Sequence, residues 1–388
     1  MLIASTIKKL LLVFQYPRFS PDLSGEYTVG VHRTRIPGST ACQVHYPIAS
    51  PKSRENSHAP YFRPAAVEGL ADYSGTSSSL LSMLSTRRLP YEFGADVLEG
   101  NFPVIVFSHG LGGCMEMYSQ LCANMASHGY LVLALEHEDG SGVFAERVNG
   151  DLVYYRRPDD TPYSREKVLD FRGPMLEQRV GEVESAVQFV VDTTCDTAKN
   201  SPKCDPLLEK ILSAADTKSG VALVGHSFGA VTMALVAQRD LIPMKSVALL
   251  DPWCFSLKDS DLDKGVASPP VISILSESWT KNNELPQVQR LLKNSVGISM
   301  FWLPGTVHQS FADSANWLPR VVARRMYMIG KDEERHKTTR LVAELCVSHI
   351  EQSCTTKVTE ESLIHELGKD GSLVKSYEIP LSVSSIPA

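Results

Sequence analysis

The sequence predicts an α/β architecture in which a mostly parallel central sheet carries helices on both faces, and two observations lead there. From residue 102 onward, short apolar runs (FPVIVFSHG, YLVLALEHED, VALVGHS, KSVALLD, PPVISILSE and GISMFWLPG) alternate with longer segments of helical periodicity. Strands that alternate with helices are joined by crossover connections, which set neighbouring strands parallel and cover both faces. The second observation is GHSFG at 225–229, a serine between two glycines, with an apolar strand before it and the helical run AVTMALVAQ after it.

The elements follow in chain order. In the N-terminal MLIASTIKKLLLVFQYPRF, the apolar run after Lys8 and Lys9 reaches only from Leu10 to Phe14. That is shorter than the roughly 7 to 15 residues of a secretory leader, and no small-residue cleavage site follows, so it reads as mature chain. GEYTVGVHRTRI and STACQVHYPIA, separated by Pro37 and Gly38, predict two antiparallel strands. Residues 51–100 are rich in Ser, Pro and Gly around the apolar cluster LLSML (80–84) and read as a long insertion. A strand from Phe102, a helix over Met115 to His128 and a strand from Tyr130 come next. Residues 139–173 are polar and irregular, a second insertion, and a loop of that length in a compact domain is a place to look for function. Leu176, Val180, Val183, Val187 and Val190 then recur at helical spacing, the stripe of a helix packed on a sheet. The expectation is one domain over 1–388, with a core at about 25–350 and a C-terminal appendix over 355–388.

Composition narrows the function. With 388 residues, a net charge of -6 and a pI near 6.0, the chain lacks the basic footprint of a nucleic-acid binder and suits an uncharged or zwitterionic substrate. Its eight cysteines are scattered, with no C-x-x-C pair and no zinc spacing, so neither a metal nor a cofactor is expected. Cys195 and Cys204 could close a small loop, although reduced thiols suit the cytoplasmic location that the absence of an N-x-S/T sequon favours, secretion remaining the alternative. No apolar stretch approaches the length of a membrane span.

The chemistry centres on Ser227. A serine on a tight strand-to-helix turn points its hydroxyl out of the sheet, and Gly225 and Gly229 flank it because side chains there would collide with the adjoining strand and helix. Partners are expected at the carboxyl ends of the strands. There Asp251 ends SVALLD, Glu277 ends VISILSE, and His308 follows FWLPGTV. Ser, acid, His is the chain order of the α/β-hydrolase fold. His308 is the candidate base; Asp251 is the preferred acid to orient it, and Glu277 the fallback. His109 and His226 read as residues that shape their loops, while His137 precedes the serine and breaks the order. For an oxyanion hole the candidates are the backbone N–H groups of Phe228, next to the serine, and of Leu111 in the glycine-rich SHGLGG loop.

FPVIVFSHGLGG, MASHGYLVLALEHED, VALVGHSFGAVT, ALLDPW and GTVHQSFAD resemble, in order, segments of the platelet-activating factor acetylhydrolases of the plasma and intracellular type II kind. The resemblance implies a calcium-independent serine esterase that removes short or oxidised sn-2 acyl chains from phospholipids. It places the nucleophile on Ser227, the acid on Asp251, the base on His308 and the oxyanion donors on Leu111 and Phe228. EHED stands where the family has EHRD, and GHSFGA where it has GHSFGG; the two insertions match poorly, and such segments frame the acyl and head-group sites. The alternatives are a soluble carboxylesterase or lipase for small esters and a catalytically silent binding protein on the same scaffold. LLLVF beside Lys8 and Lys9, and LLSML beside Arg87 and Arg88, suggest weak peripheral membrane contact, against the plainer reading that both pack on the sheet.

Overall fold

A computed structural model describes residues 19–49, 58–158, 164–194, 204–295, 299–331, 333–352 and 375–376. The N-terminal leader reading, the LLLVF cluster and Cys195 lie outside the described residues, as does the C-terminal appendix apart from 375–376.

The strands are β1 (Val29–Arg35), β2 (Ala41–Pro47), β3 (His58–Pro60), β4 (Arg88–Phe93), β5 (Phe102–Ser108), β6 (Leu131–Leu135), β7 (Phe144–Glu146), β8 (Leu152–Tyr154), β9 (Ala215–Asp216), β10 (Val221–His226), β11 (Met244–Leu250), β12 (Val271–Ser276), β13 (Ser299–Leu303) and β14 (Lys375–Ser376). The main sheet runs β14-β13-β12-β11-β10-β5-β6-β2-β1-β4-β3, and β7 and β8 form a separate hairpin. From β6 through β13 the neighbours are parallel, whereas β2 pairs antiparallel with both β1 and β6.

Alternation along each strand sends neighbouring side chains to opposite faces. Val104, Val106, Leu223 and Val247 join one core, and Ile105, Phe107, Val224 and Ala248 the other. Because both faces are covered, the strands read as unbroken apolar runs in the sequence. One core is closed by α3 (Arg165–Thr194) through Val180, Val183 and Val187, and by α4 (Phe228–Arg239) through Val231 and Ala234. Over the opposite face lie α1 (Pro64–Ser74), α2 (Ser119–Ser127) and α5 (Arg335–Gln352). This is the expected α/β-hydrolase architecture. Among the described residues no helix is long and apolar enough to cross a membrane, and Cys42, Cys114, Cys122, Cys204, Cys254 and Cys346 are free thiols.

Both insertions are more regular than the sequence suggested. Residues 58–93 add β3, α1, two single helical turns and β4, the last pairing parallel with β1. Tyr61, Phe62, Val67, Leu70, Leu89 and Tyr91 bury enough apolar surface to order the segment despite its small-residue composition. In the cluster LLSML, Leu84 is fully buried in this core and Leu81 packs against it, so only Leu80 remains as a strongly exposed leucine. Within 139–173, expected to be irregular, β7 and β8 form and α3 begins at Arg165, running through Pro174. Gly173 before that proline has no Cβ to meet the pyrrolidine ring, which removes part of the usual penalty.

Candidate active site

Ser227 joins β10 to α4 with φ 57° and ψ −115°, a backbone conformation that few side chains adopt. The turn is held by its neighbours: the Ser227 amide donates to the Leu250 carbonyl at 2.8 Å, and its carbonyl accepts the Ala230 amide at 3.1 Å. The flanking glycines are required by contact. A Cβ at Gly225 would come 2.3 Å from the Gly229 carbonyl oxygen, and one at Gly229 would come 2.1 Å from the Ser108 carbonyl oxygen. The motif therefore wedges the turn between its own helix and the end of β5.

The structure brings Ser227, His308 and Asp251 together. His308 Nε2 lies 3.0 Å from Ser227 Oγ, and its Nδ1 lies 3.0 Å from Asp251 Oδ2. Asp251 is fully buried just past β11, with a positive φ of 42°, and Ser276 at the end of β12 satisfies both of its oxygens. The Ser276 amide donates to Oδ1 at 2.7 Å and its hydroxyl to Oδ2 at 2.6 Å. A buried carboxylate that accepts this many bonds is held in one orientation, as a histidine partner must be. His308 itself opens a single helical turn, its amide donating to Ser278 Oγ at 3.0 Å.

Glu277 is engaged elsewhere. Its carboxylate pairs with Lys281 and accepts the Gly305 amide at 2.5 Å. His226 lies beside the base, ring centroids 4.5 Å apart, and burial together with the nearby His308 pushes its pKa well below the ordinary value, which keeps it neutral. Tyr118 bridges this ring to the glycine-rich loop: its hydroxyl is 2.8 Å from His226 Nδ1 and accepts the Gly110 amide at 3.2 Å. His109 is buried with Nδ1 2.8 Å from the Gly110 carbonyl, and His137 is buried between Ser108 Oγ and Glu182, each at 2.7 Å. All three histidines shape the loops.

Phe228 follows Ser227 directly as the first residue of α4, and Leu111 lies one residue past Gly110. A Cβ on Gly110 would lie 3.1 Å from Ser227 Cβ, so the loop carrying Leu111 runs directly past the serine. Among the described residues the Leu111 and Phe228 amides donate to no backbone carbonyl, whereas the Gly112 amide donates to Ser141 O at 2.8 Å and that of Gly113 to Gly110 O at 3.1 Å. His226, Asp251 and His308 also set ligand-type atoms within 4.8 Å of one another, but both ring nitrogens of His308 already face Ser227 and Asp251.

Sequence reasoning missed four residues of this assembly: Ser276, Trp279, Tyr118 and Arg179. Trp279 stacks on His308. Arg179 reaches from α3 to the glycine-rich loop. Only Ser276, one position before a candidate acid at a strand end, carried any signal in the sequence.

The sequence matches the family described as platelet-activating factor acetylhydrolase, isoform II, over residues 14–362. It is 26% identical over 283 residues to the platelet-activating factor acetylhydrolase of Cavia porcellus, a match spanning 68% of this chain and 62% of that protein. To the protein of the same name from Canis lupus familiaris it is 27% identical over 316 residues, covering 76% of this chain and 68% of the other. A putative phospholipase A2 of Schizosaccharomyces pombe is 27% identical over 281 residues, 58% of this chain and 62% of its own length. Among solved structures, a ferulic acid esterase from Streptomyces cinnamoneus superimposes with a TM-score of 0.62 over 92% of this chain and 98% of the other; at 17% identity the likeness is one of fold.

Proposed function

The chain belongs to the family of platelet-activating factor acetylhydrolases, isoform II, and from that premise we propose that it is a calcium-independent serine esterase removing short or oxidised sn-2 acyl chains from phospholipids such as platelet-activating factor. The single observation that supports the reading most is the continuous chain from Asp251 through His308 to Ser227, each link 3.0 Å long.

In this mechanism His308 Nε2 takes the Ser227 proton as the oxygen attacks the sn-2 carbonyl carbon. Asp251 holds the ring and stabilises the imidazolium. Negative charge on the former carbonyl oxygen is met by the Leu111 and Phe228 N–H groups, and the N-terminal end of α4 behind Phe228 favours it further. As the tetrahedral intermediate collapses, His308 returns the proton to the sn-2 oxygen and the lysophospholipid leaves. Water, deprotonated by the same histidine, then attacks the acyl-Ser227 ester, releasing the short acid and restoring the hydroxyl. The nucleophile, proton transfer and charge stabilisation all come from the chain, so the reaction calls for neither metal nor cofactor.

Fluorophosphonate labelling of Ser227 tests the mechanism and separates an enzyme from a silent binding protein. Hydrolysis of a micellar short-chain phospholipid, compared with a soluble nitrophenyl ester in the presence of excess chelator, tests the substrate class. Preference for the phospholipid, undiminished by the chelator, is expected. A preference for the soluble ester would make the protein a carboxylesterase, and activity lost on chelation and restored by calcium would overturn the mechanism.

A further inference from the structure

The guanidinium of Arg179 is fully buried, although α3 reads in the sequence as a helix with one apolar stripe and charged flanks. Its donors fan out to groups from several separate segments. Nη1 donates to the His109 carbonyl at 2.6 Å and lies 3.5 Å from Ser108 Oγ. Nε donates to Asp139 Oδ2 at 3.0 Å and to Ser141 Oγ at 2.9 Å. Nη2 donates to Ser141 Oγ at 2.6 Å and lies 3.3 Å from His109 Nδ1. The Ser141 hydroxyl donates in turn to Asp139 Oδ1 at 2.6 Å. The guanidinium carbon Cζ lies over the Phe228 ring, 4.9 Å from its centre.

These contacts converge on two peptides. The Leu111 N–H lies between the His109 carbonyl, which Arg179 holds directly, and the Gly112 amide, which is bonded to the carbonyl of Ser141, the residue whose side chain Arg179 also holds. Gly112 itself has φ +64°, a left-handed conformation that favours glycine at this turn of the loop. Phe228, the other expected donor, has its side chain laid against the same cation. Resting on the serine-esterase reading above, we propose that Arg179 is a positioning residue for the oxyanion hole: one buried guanidinium sets the distance between the Leu111 and Phe228 amides. Nothing but arginine suits the task, because five N–H donors in one rigid plane serve His109, Asp139 and Ser141 at once while the plane's face stays free to stack on Phe228. Lysine offers a single point of charge and no such face.

One turn further along α3, Glu182 performs a parallel service. It accepts the Glu138 amide at 3.1 Å and binds His137, whose other nitrogen meets Ser108. Ser108, His137 and Glu182 repeat the residue types of a catalytic relay, but Ser108 is wholly enclosed, so this relay ties loops together. The helix thus holds the ends of β5 and β6 in register with the nucleophile turn.

The test uses Arg179→Met and Arg179→Lys in the full chain, with Ser141→Ala as a milder variant that keeps the cation and removes one shared hydroxyl. Each is assayed on a soluble nitrophenyl ester and on its thionoester, whose sulfur gains far less from N–H donors than oxygen does. For Arg179→Met, kcat on the oxoester should fall about 100-fold, within the range seen when one oxyanion donor is lost. KM should stay within about twofold and the pH–rate profile unchanged, since the His308 pair is untouched. The oxoester-to-thionoester rate ratio should fall by a similar factor. Arg179→Lys should resemble the methionine variant, and Ser141→Ala should shift the ratio the same way by about tenfold or less. Full kcat in folded Arg179→Met, or a lower kcat with an unchanged ratio, would overturn the proposal. If the methionine variant does not fold, the ratio in Ser141→Ala decides. Failure of the esterase reading shows separately, as parent protein that a fluorophosphonate does not label at Ser227.

Discussion

The indole of Trp279 lies flat on the imidazole of His308, ring centroids 4.1 Å apart and planes 11° from parallel. Its Nε1–H donates to the Pro252 carbonyl at 3.1 Å, so the residue that walls the base is tied to the backbone just past Asp251. An aromatic face attracts a cation. In the proposed mechanism an imidazolium forms as Ser227 gives up its proton, so the stacking would strengthen more on the way to the transition state than in the ground state. Trp279→Ala should therefore lower kcat on a soluble ester about tenfold, equivalent to about 1.4 kcal/mol, and leave KM nearly unchanged. Equal loss in kcat and binding would instead make the indole a substrate contact.

Replacement of Ser227 by Ala should reduce turnover by about a millionfold, as removal of a triad nucleophile does elsewhere. The fold should survive, because the turn is held by the Ser227 backbone bonds to Leu250 and Ala230, and alanine keeps them. Activity above a few per cent in a clean preparation would place the nucleophile elsewhere.

Asp251→Asn and Glu277→Gln remove one charge each at nearly constant volume. The Asp251 carboxylate faces His308 Nδ1, while that of Glu277 faces Lys281 and the Gly305 amide. Turnover should fall by about four orders of magnitude in the first variant, through loss of the ring's tautomer and orientation. In the second it should stay within about threefold, since an exposed ion pair contributes little. Steady-state rates of the two proteins, measured side by side, check the assignment.

The converging residues were visible in the sequence wherever they ended an apolar run. Ser227, Asp251 and His308 each follow a strand, and the carboxyl edge of a parallel sheet gathers such ends whatever lies between them. Arg179 could not be found that way. It sits beside the stripe of Val180 and Val183, where a charge ordinarily faces water, and its burial depends on loops that follow other strands. Residues 58–93 were obscured for a different reason: their serines and prolines outweigh Tyr61, Phe62, Leu84 and Leu89 in composition, while burial depends on those few large side chains. The start of α3 was misplaced because Pro174 reads as a boundary, and only the packed context carries the helix through it.

Glu284 makes stability depend on pH. It is buried against the loop after Asp251, accepting the Phe255 amide at 3.2 Å, and burial, helped by repulsion from Asp251, pushes its carboxyl from an ordinary 4.5 up to about 7. A raised acid pKa means that the folded state favours the protonated form. The stabilisation is complete below the unfolded pKa and is lost as pH rises through about 7. Denaturant unfolding should show stability declining between about pH 5 and pH 8 by at most about 3 kcal/mol from this group. Glu284→Gln should flatten that decline. An unchanged slope in the variant would assign the pH dependence to other groups.

Leu80 and Leu84 stand one helical turn apart in the cluster first read as a lipid contact, and they face opposite surroundings. Leu84 is 1% exposed and packs in the core with Tyr61, Phe62 and Leu89, whereas Leu80 is 67% exposed. Leu84→Ser would leave a cavity and bury a hydroxyl, costing about 2–5 kcal/mol, so loss of vesicle binding in that variant would report unfolding. Leu80→Ser should change stability by less than about 0.5 kcal/mol and leave hydrolysis of a soluble ester intact, which makes it the clean probe. If this face meets lipid, burying Leu80 contributes about 2 kcal/mol, and the serine variant should bind anionic vesicles roughly tenfold or more weakly in a sedimentation assay. Equal sedimentation of parent and variant would remove this leucine from any lipid contact. Absence of binding by the parent would mean that the enzyme draws its ester from solution.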